Sequence, residues 1–177
     1  GFVGGGAMAE ALIAGLLAAG IREARVCASD PMPARREHLA QRFGIATTVE
    51  NAEVVAMSDL VVIAVKPGFV TPVLEAAREE LQADALRPLW GSIAAGVPLR
   101  RIQGALPSGA RVVRAMPNTP ALVRAGATGL FAGPTCSTDA RTHARALFAT
   151  VGTVWEAPEE DLLDAVQWAV DNHVARV

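Results

Sequence analysis

The 177-residue sequence predicts an α/β fold: a doubly wound, mostly parallel sheet flanked by helices, with one further helix at the C-terminal end. Three observations predict it. Short apolar runs alternate with amphipathic segments of helical spacing along the chain. The run Leu60 to Val65 (LVVIAV) is continuously apolar, as a strand covered on both faces must be. Gly4-Gly5-Gly6 falls between a short apolar run and a helical pattern, the place where such sheets bind ligands.

The elements follow in order. Phe2–Val3 ends a first strand. Ala7 to Ala19 reads as a helix with Met8, Leu12, Ile13, Leu16 and Leu17 on one face, stopped by Gly20. Arg25 to Ser29 is a second strand, Pro33 to Phe43 a polar-faced helix closed by Gly44, and Ile45 to Thr48 a short strand. Asn51 is positioned to cap a short helix ending at Met57. After the LVVIAV strand, Phe69, Val70, Val73, Leu74, Ala77 and Leu81 repeat at helical spacing. Pro88 to Ile93 is a strand, Val97 to Leu106 a short helix, and Arg111 to Ala115 another strand. Ala127 to Gly133 is a strand, Thr138 to Thr150 a helix, and Thr153 to Glu156 a last strand. From Glu159 onward Leu162, Leu163, Val166, Val170 and Val174 form one helical stripe. Left uncovered, that stripe is an apolar patch, expected to pair with a second copy or to fray.

Composition limits the function. Apolar residues make up 51% and charged residues 19%, enough for a core, and a net charge of −2 without a basic run argues against a nucleic-acid binder. The longest apolar run is too short to span a membrane, and the opening residues lack a signal-peptide pattern. Two isolated cysteines, Cys27 and Cys136, make neither a disulfide scaffold nor a metal site, so a reducing, cytoplasmic setting is expected. Of 16 basic residues all but Lys66 are arginine, which singles out that lysine at a strand end.

The strongest motif is Gly4-Gly5-Gly6-Ala7-Met8-Ala9, of the form G-x-G-x-x-A, in a strand–loop–helix context. The first glycine permits a tight turn, the second lets backbone approach a pyrophosphate, and the small Ala9 lets helix pack on strand. The helix N-terminus offers free N–H groups to the phosphates. The motif makes the fold Rossmann-like and predicts a dinucleotide. Residues 1–158 form the dinucleotide-binding domain and 159–177 a C-terminal helix. Asp30, 24 residues beyond Gly6, suits a ribose 2′-hydroxyl, while Arg35 and Arg36 suit a 2′-phosphate. Asp30 reads equally as a turn residue before Pro31, and the cofactor stays open between NADP(H) and NAD(H). Three further strand ends carry unusual residues: Ala64-Val65-Lys66-Pro67, Ser92-Ile93-Ala94-Ala95-Gly96 and Arg114-Ala115-Met116-Pro117-Asn118-Thr119-Pro120. Small residues let a flat ring lie near backbone, and prolines hold loop shape.

Together GFVGGGAMAEALIAGLL, DPMPARREHLAQRFGI, SDLVVIAVKPG, SIAAGV and RAMPNTPALVRAGATGL resemble pyrroline-5-carboxylate reductase, from Gly1 to about Val166. The resemblance implies an oxidoreductase that transfers hydride from NADP(H), or NAD(H), to the imine carbon of 1-pyrroline-5-carboxylate, giving proline. It implies cofactor contacts from Val3, Gly4, Gly5, Gly6, Ala7 and Met8 at the phosphates. Ser29, Asp30 and Arg35 would lie near the adenosine ribose and Asn51 beside the adenine. Ala64, Val65, Lys66 and Pro67, with Ile93, Ala94 and Ala95, would line the cofactor. Met116, Pro117, Asn118 and Thr119 would lie near the nicotinamide. No catalytic side chain and no metal is implied.

The sequence departs from that family after EEDLLDAV. A Ser-Gly-Ser-Gly-Pro-Ala-Tyr motif and a helical dimerisation domain are expected there, and Gln167 to Val177 reads differently. The chain therefore resembles the cofactor domain with a truncated or replaced helical domain. It is expected to bind NADP(H) and to reduce the imine poorly alone, because the family's homo-oligomer contacts and most of its substrate pocket come from that second domain. The alternatives are a non-catalytic NAD(P)-binding module and a hydroxyacid-dehydrogenase-type oxidoreductase, the latter disfavoured by AVKPG with MPNTPA.

Other residues read as structural. His38, His143 and His173 sit on helix faces. Glu159, Glu160, Asp161 and Asp164 suit a helix start after Pro158. Cys27 is a small core residue and Cys136 a loop residue open to solvent, while Trp90, Trp155 and Trp168 are packing. Lys66 acts through its backbone or its ammonium.

Overall fold

The structure, a computed structural model, describes residues 1–81 and 86–163. Its strands are β1 (Phe2–Val3), β2 (Cys27–Ser29), β3 (Ala46–Thr48), β4 (Leu60–Ile63), β5 (Leu89–Ser92), β6 (Arg111–Pro117), β7 (Gly126–Ala132) and β8 (Gly152–Glu156). The helices are α1 (Ala7–Ala18), α2 (Pro33–Phe43), α3 (Asn51–Met57), α4 (Val70–Leu81), α5 (Leu99–Ala105) and α6 (Thr138–Ala149).

Alternation along the strands divides the apolar residues between two layers. Phe2, Val62, Val113, Ala115 and Leu130 meet Leu12 and Ile13 of α1, Leu39 of α2, and Leu147 and Phe148 of α6. Val3, Val61, Ile63, Trp90 and Val112 meet Val54 and Val55 of α3, Val70 and Leu74 of α4, and Ile102 of α5. One sheet thus carries helices on both faces, the doubly wound arrangement that the sequence predicts. The strand order is β3-β2-β1-β4-β5-β6-β7-β8. All pairs are parallel except β6–β7, and the winding reverses between β1 and β4. The crevice for a ligand therefore lies at the carboxyl ends of those two strands.

Several boundaries move for local reasons. Glu23–Arg25 forms a 3-10 turn, so β2 begins at Cys27. The chain leaves β4 at Ile63 and enters another 3-10 turn at Pro67–Phe69. Phe69 is therefore 61% exposed, and the buried stripe of α4 is Val70, Leu74 and Ala77. Pairing with β7 carries β6 on through Met116 and Pro117, beyond the expected end at Ala115. Asn51 is the first helical residue of α3 and does not cap it; Glu50 holds the cap position, without a side-chain bond. Cys136 is buried, donating to the Val112 carbonyl, and burial pushes its thiol up. Cys27 is half-buried, its sulfur 3.7 Å from the Ser58 hydroxyl. Trp90 is core, but Trp155 is exposed on the outer strand β8. Leu163 is fully buried and no part of an exposed stripe, whereas Leu162 is exposed. Asp164, Val166, Trp168, Val170, His173 and Val174 lie outside the described residues. Among the described residues no helix is long and apolar enough to cross a membrane.

Gly152 begins β8 at φ +152°, where a Cβ would overlap the carbonyl of Gly126 on β7. Gly152→Ala is expected to destabilise the fold by about 3 kcal/mol in urea denaturation. Gly104→Ala, inside α5 with open space around it, should gain about 0.5 kcal/mol.

Candidate functional site

The glycine loop leaves β1 at the point where the winding reverses. Gly4 has φ +95°, and a Cβ on it would stand 2.8 Å from the Ala64 carbonyl oxygen. Its amide donates to the Ser29 carbonyl at 2.9 Å, and the Ala64 amide donates to Val3 at 2.8 Å. The exits of β1, β2 and β4 are thus in direct contact. Gly6 holds the N-cap position of α1 in extended conformation, with no side-chain cap. The first intrahelical bond runs from the Glu10 amide to the Gly6 carbonyl, so the amides of Ala7 and Met8 precede it. Nothing lies within 4 Å of where a Gly6 Cβ would be. Ala9 is fully buried against the strand layer. The space at Gly6 and the uncapped amides together fit an anionic group such as a pyrophosphate.

The exit of β2 shapes the loop. Asp30 accepts from the Gly5 amide through Oδ2 and from the Met32 amide through Oδ1, both at 2.9 Å. It is therefore a turn residue and a loop anchor at once. A Cβ on Gly5 would sit 2.8 Å from Leu39 Cδ1, so this position must be small as well. Ser29 is fully buried and donates to Asn51 Oδ1 at 2.7 Å, which uses Asn51 to join β2 to α3. Arg36 donates to the carbonyls of Asp30 and Pro31 at 2.7 and 3.0 Å, fixing the same turn.

Arg35 reaches back to the loop, donating to the Gly5 carbonyl and pairing with Glu10 on α1. Glu10 also meets His38 at 3.1 Å and Arg42 at 2.5 Å, so three cationic or polar groups of α2 converge on one carboxylate. Burial works against the Glu10 charge. Hydrogen bonds from His38 and Arg35, and the charge of both, outweigh it and hold the carboxyl below its ordinary value. Sequence reasoning missed this cluster, because Glu10 and His38 are 28 residues apart in order.

The remaining strand ends line up beside the loop. Ala64 and Val65 are half-buried at the β4 exit, and Lys66 and Pro67 are exposed. The Lys66 carbonyl accepts from the Phe69 amide, a structural use of its backbone. Ile93 bonds back to Ile63, Ala94 is buried and Ala95 is exposed. Met116 and Pro117 lie inside β6, Asn118 follows, and its Oδ1 accepts from the Ala127 amide at 2.9 Å. Thr119 opens a 3-10 turn, through Val123, that packs Ala121 into the α1 core. The exits of β1, β2, β4, β5 and β6 therefore carry the strand-end residues singled out in the sequence, and Arg35 of α2 and Asn51 of α3 bond to the first two of these exits. What they offer is backbone amides and small side chains, suited to binding and orientation.

Two further features were missed in the sequence. Arg114 is buried in β6 and pairs with Glu160 at 2.7 Å. Thr128 on β7 is buried with no hydrogen-bond partner for its hydroxyl. A cavity of about 1250 Å³ opens at the opposite end of the sheet among Phe2, Leu16, Val26, Leu60 and Leu89. It lies away from the strand exits and holds none of these groups.

Comparison with known proteins agrees with this fold. A family model described as NADP oxidoreductase, coenzyme F420-dependent, matches residues 1–86. Pyrroline-5-carboxylate reductases from Synechocystis sp. and Pseudomonas aeruginosa are 41% and 42% identical over 167 residues, 94% and 93% of this chain. The chain spans about three-fifths of the length of these relatives, 60% and 59%. A solved pyrroline-5-carboxylate reductase from Coxiella burnetii superposes with TM-score 0.88 at 36% identity, covering 93% of this chain and 60% of that one. The Plasmodium falciparum pyrroline carboxylate reductase, solved with NADP bound, superposes with TM-score 0.82 at 23% identity, covering 98% of this chain and 63% of that one, and shows the shared fold.

The Glu10 cluster carries a pH signature. With the folded carboxyl below its ordinary value of 4.5, the stabilisation is present above that value and is lost as pH falls through the lower folded one. Glu10→Gln should cost about 1 kcal/mol near neutral pH, and denaturation curves of the two proteins should converge at acid pH.

Proposed function

We propose that this chain, homologous over nine-tenths of its length to the pyrroline-5-carboxylate reductases, binds a nicotinamide dinucleotide across the exits of β1, β2, β4, β5 and β6. The reaction it serves is the NAD(P)H-dependent reduction of 1-pyrroline-5-carboxylate to proline. NADP(H) is the cofactor, with NAD(H) as the alternative. The observation that carries the reading is the open space at Gly6 in front of the uncapped α1 amides. Residues 1–158 form the binding unit.

Each group has a role in this reading. Gly4 to Met8 receive the pyrophosphate on backbone amides. Ser29, Asp30 and Arg35, with Asn51, face the adenosine. The Asp30 oxygens already accept two amides and keep lone pairs for a ribose hydroxyl. Arg36, fastened to the β2 exit, is a second guanidinium suited to a 2′-phosphate. Ala64 to Pro67 and Ile93 to Ala95 form a small-residue wall, and Met116 to Thr119 bound the nicotinamide end. When bound, the reduced nicotinamide supplies hydride to an imine carbon that is electrophilic already. The residues of this chain then contribute orientation, and no acid–base side chain is assigned.

Calorimetric titration of the folded chain with NADPH and NADH tests the reading. Gly6→Ala, at an ordinary φ with room for its methyl, should leave the unfolding midpoint unchanged and weaken NADPH by about tenfold, a loss near 1.4 kcal/mol. Folded protein that binds neither dinucleotide would overturn the proposal. NADPH oxidation in the presence of 1-pyrroline-5-carboxylate separates the reductase from a non-catalytic binding module.

A further inference from the structure

Glu160 joins two strand exits that sequence order leaves apart. Its Oε1 accepts from Arg114 on β6 at 2.7 Å and from the amide of Leu99, the first residue of α5, at 2.5 Å. Arg114 is 2% exposed, and a buried guanidinium is tolerated only when well partnered. The Leu99 amide opens a helix with no side-chain cap of its own, so the carboxylate fills a gap that α5 leaves.

The reversal of β7 puts Glu160 there. β7 runs antiparallel to β6 and β8 parallel to β7, so β8 carries the chain away from the β6 exit. The Ala157 amide bonds to the Leu130 carbonyl at 2.8 Å, and the chain then turns back over the sheet. Leu163 comes to rest on Gly129, where a Cβ would meet its Cδ2 at 2.9 Å. The partner of Gly129 across the ladder is Met116. Residues 157–163 are therefore tied down at Ala157, Glu160 and Leu163, and the middle tie is the Arg114 and Leu99 contact.

Of the exits joined in this way, that of β6 is assigned to the nicotinamide end and that of β5 to the wall that lines the cofactor. Ile93–Ala95 lead through Leu99 into α5, and Met116 follows Arg114 by two residues on the same face of β6. The hydrogen bonds of the adenosine half, at Gly5, Ser29, Asp30 and Arg35, involve neither Arg114 nor Glu160. We infer that Arg114 and Glu160 are positioning residues that set the nicotinamide end of the site and leave the adenosine end alone. The inference rests on the function proposed above.

The test titrates wild type, Glu160→Gln and Arg114→Lys with NADPH and with 2′-phospho-ADP-ribose, which lacks the nicotinamide. Both variants keep the size of the side chain or its charge. Each should weaken NADPH by about tenfold and shift the fluorescence of the bound dihydronicotinamide, while 2′-phospho-ADP-ribose stays within about twofold. Equal loss of both ligands, or loss of neither, overturns the inference. Wild type that binds neither ligand overturns the proposed function instead. Hydrogen exchange on the wild-type chain needs no variant. NADPH should slow the Leu99 amide and residues 159–163 more than 2′-phospho-ADP-ribose does, and equal slowing counts against the inference.

Discussion

At position 4 there is no room for a side chain: the Ala64 carbonyl already occupies the space a Cβ would need. The rest of the site follows from that constraint. Because β1 turns so tightly, its exit touches the exits of β2 and β4, and three otherwise separate loops become one surface. The reversal of winding makes a crevice at this point in any such sheet. The glycine makes this crevice shallow enough for backbone amides, not side chains, to form its floor.

A floor of backbone amides is useful only if it is rigid before a ligand arrives. Here the rigidity comes from the turn after β2 and from the facing sides of α1 and α2. Asp30 holds the Gly5 amide, Arg35 holds the Gly5 carbonyl, and Glu10 draws Arg35, His38 and Arg42 together so that α1 and α2 cannot slide. The groups are partly exposed, so each pair contributes little energy alone. Their convergence on one loop matters more for its shape than for the stability of the fold.

The sequence showed the site more clearly than it showed what supports the site. Periodicity located the longer helices, α1, α2, α4 and α6, because a 3.6-residue repeat survives averaging over ten or more positions, and it did not find the 3-10 turns at Glu23–Arg25 and Pro67–Phe69. It misplaced the ends of β2, β4 and β6, where turns and neighbouring strands decide. The glycine loop and the three unusual strand ends were legible because their chemistry is local. Asn51 was read as a cap from its residue type, yet its carboxamide serves Ser29 across the sheet. Arg114 and Glu160 were illegible for the same reason: 46 residues separate them, and only the β6–β7 reversal brings them together. Leu163 looked like part of a solvent-facing stripe because nothing in its neighbourhood announces that Gly129 leaves space for it.

Among the described residues the sheet ends at β8, with no strand paired to its outer side. An open edge of unpaired backbone groups invites a second molecule to add a strand and begin a fibril. Glu156 at the end of that strand faces Arg145 of α6 at 3.4 Å, both partly in solvent. A strand docking there would have to strip water from both charges, and Trp155 beside them would otherwise be an adhesive surface. The Glu156–Arg145 pair thus raises the cost of adding a strand along β8, because both charges would lose water.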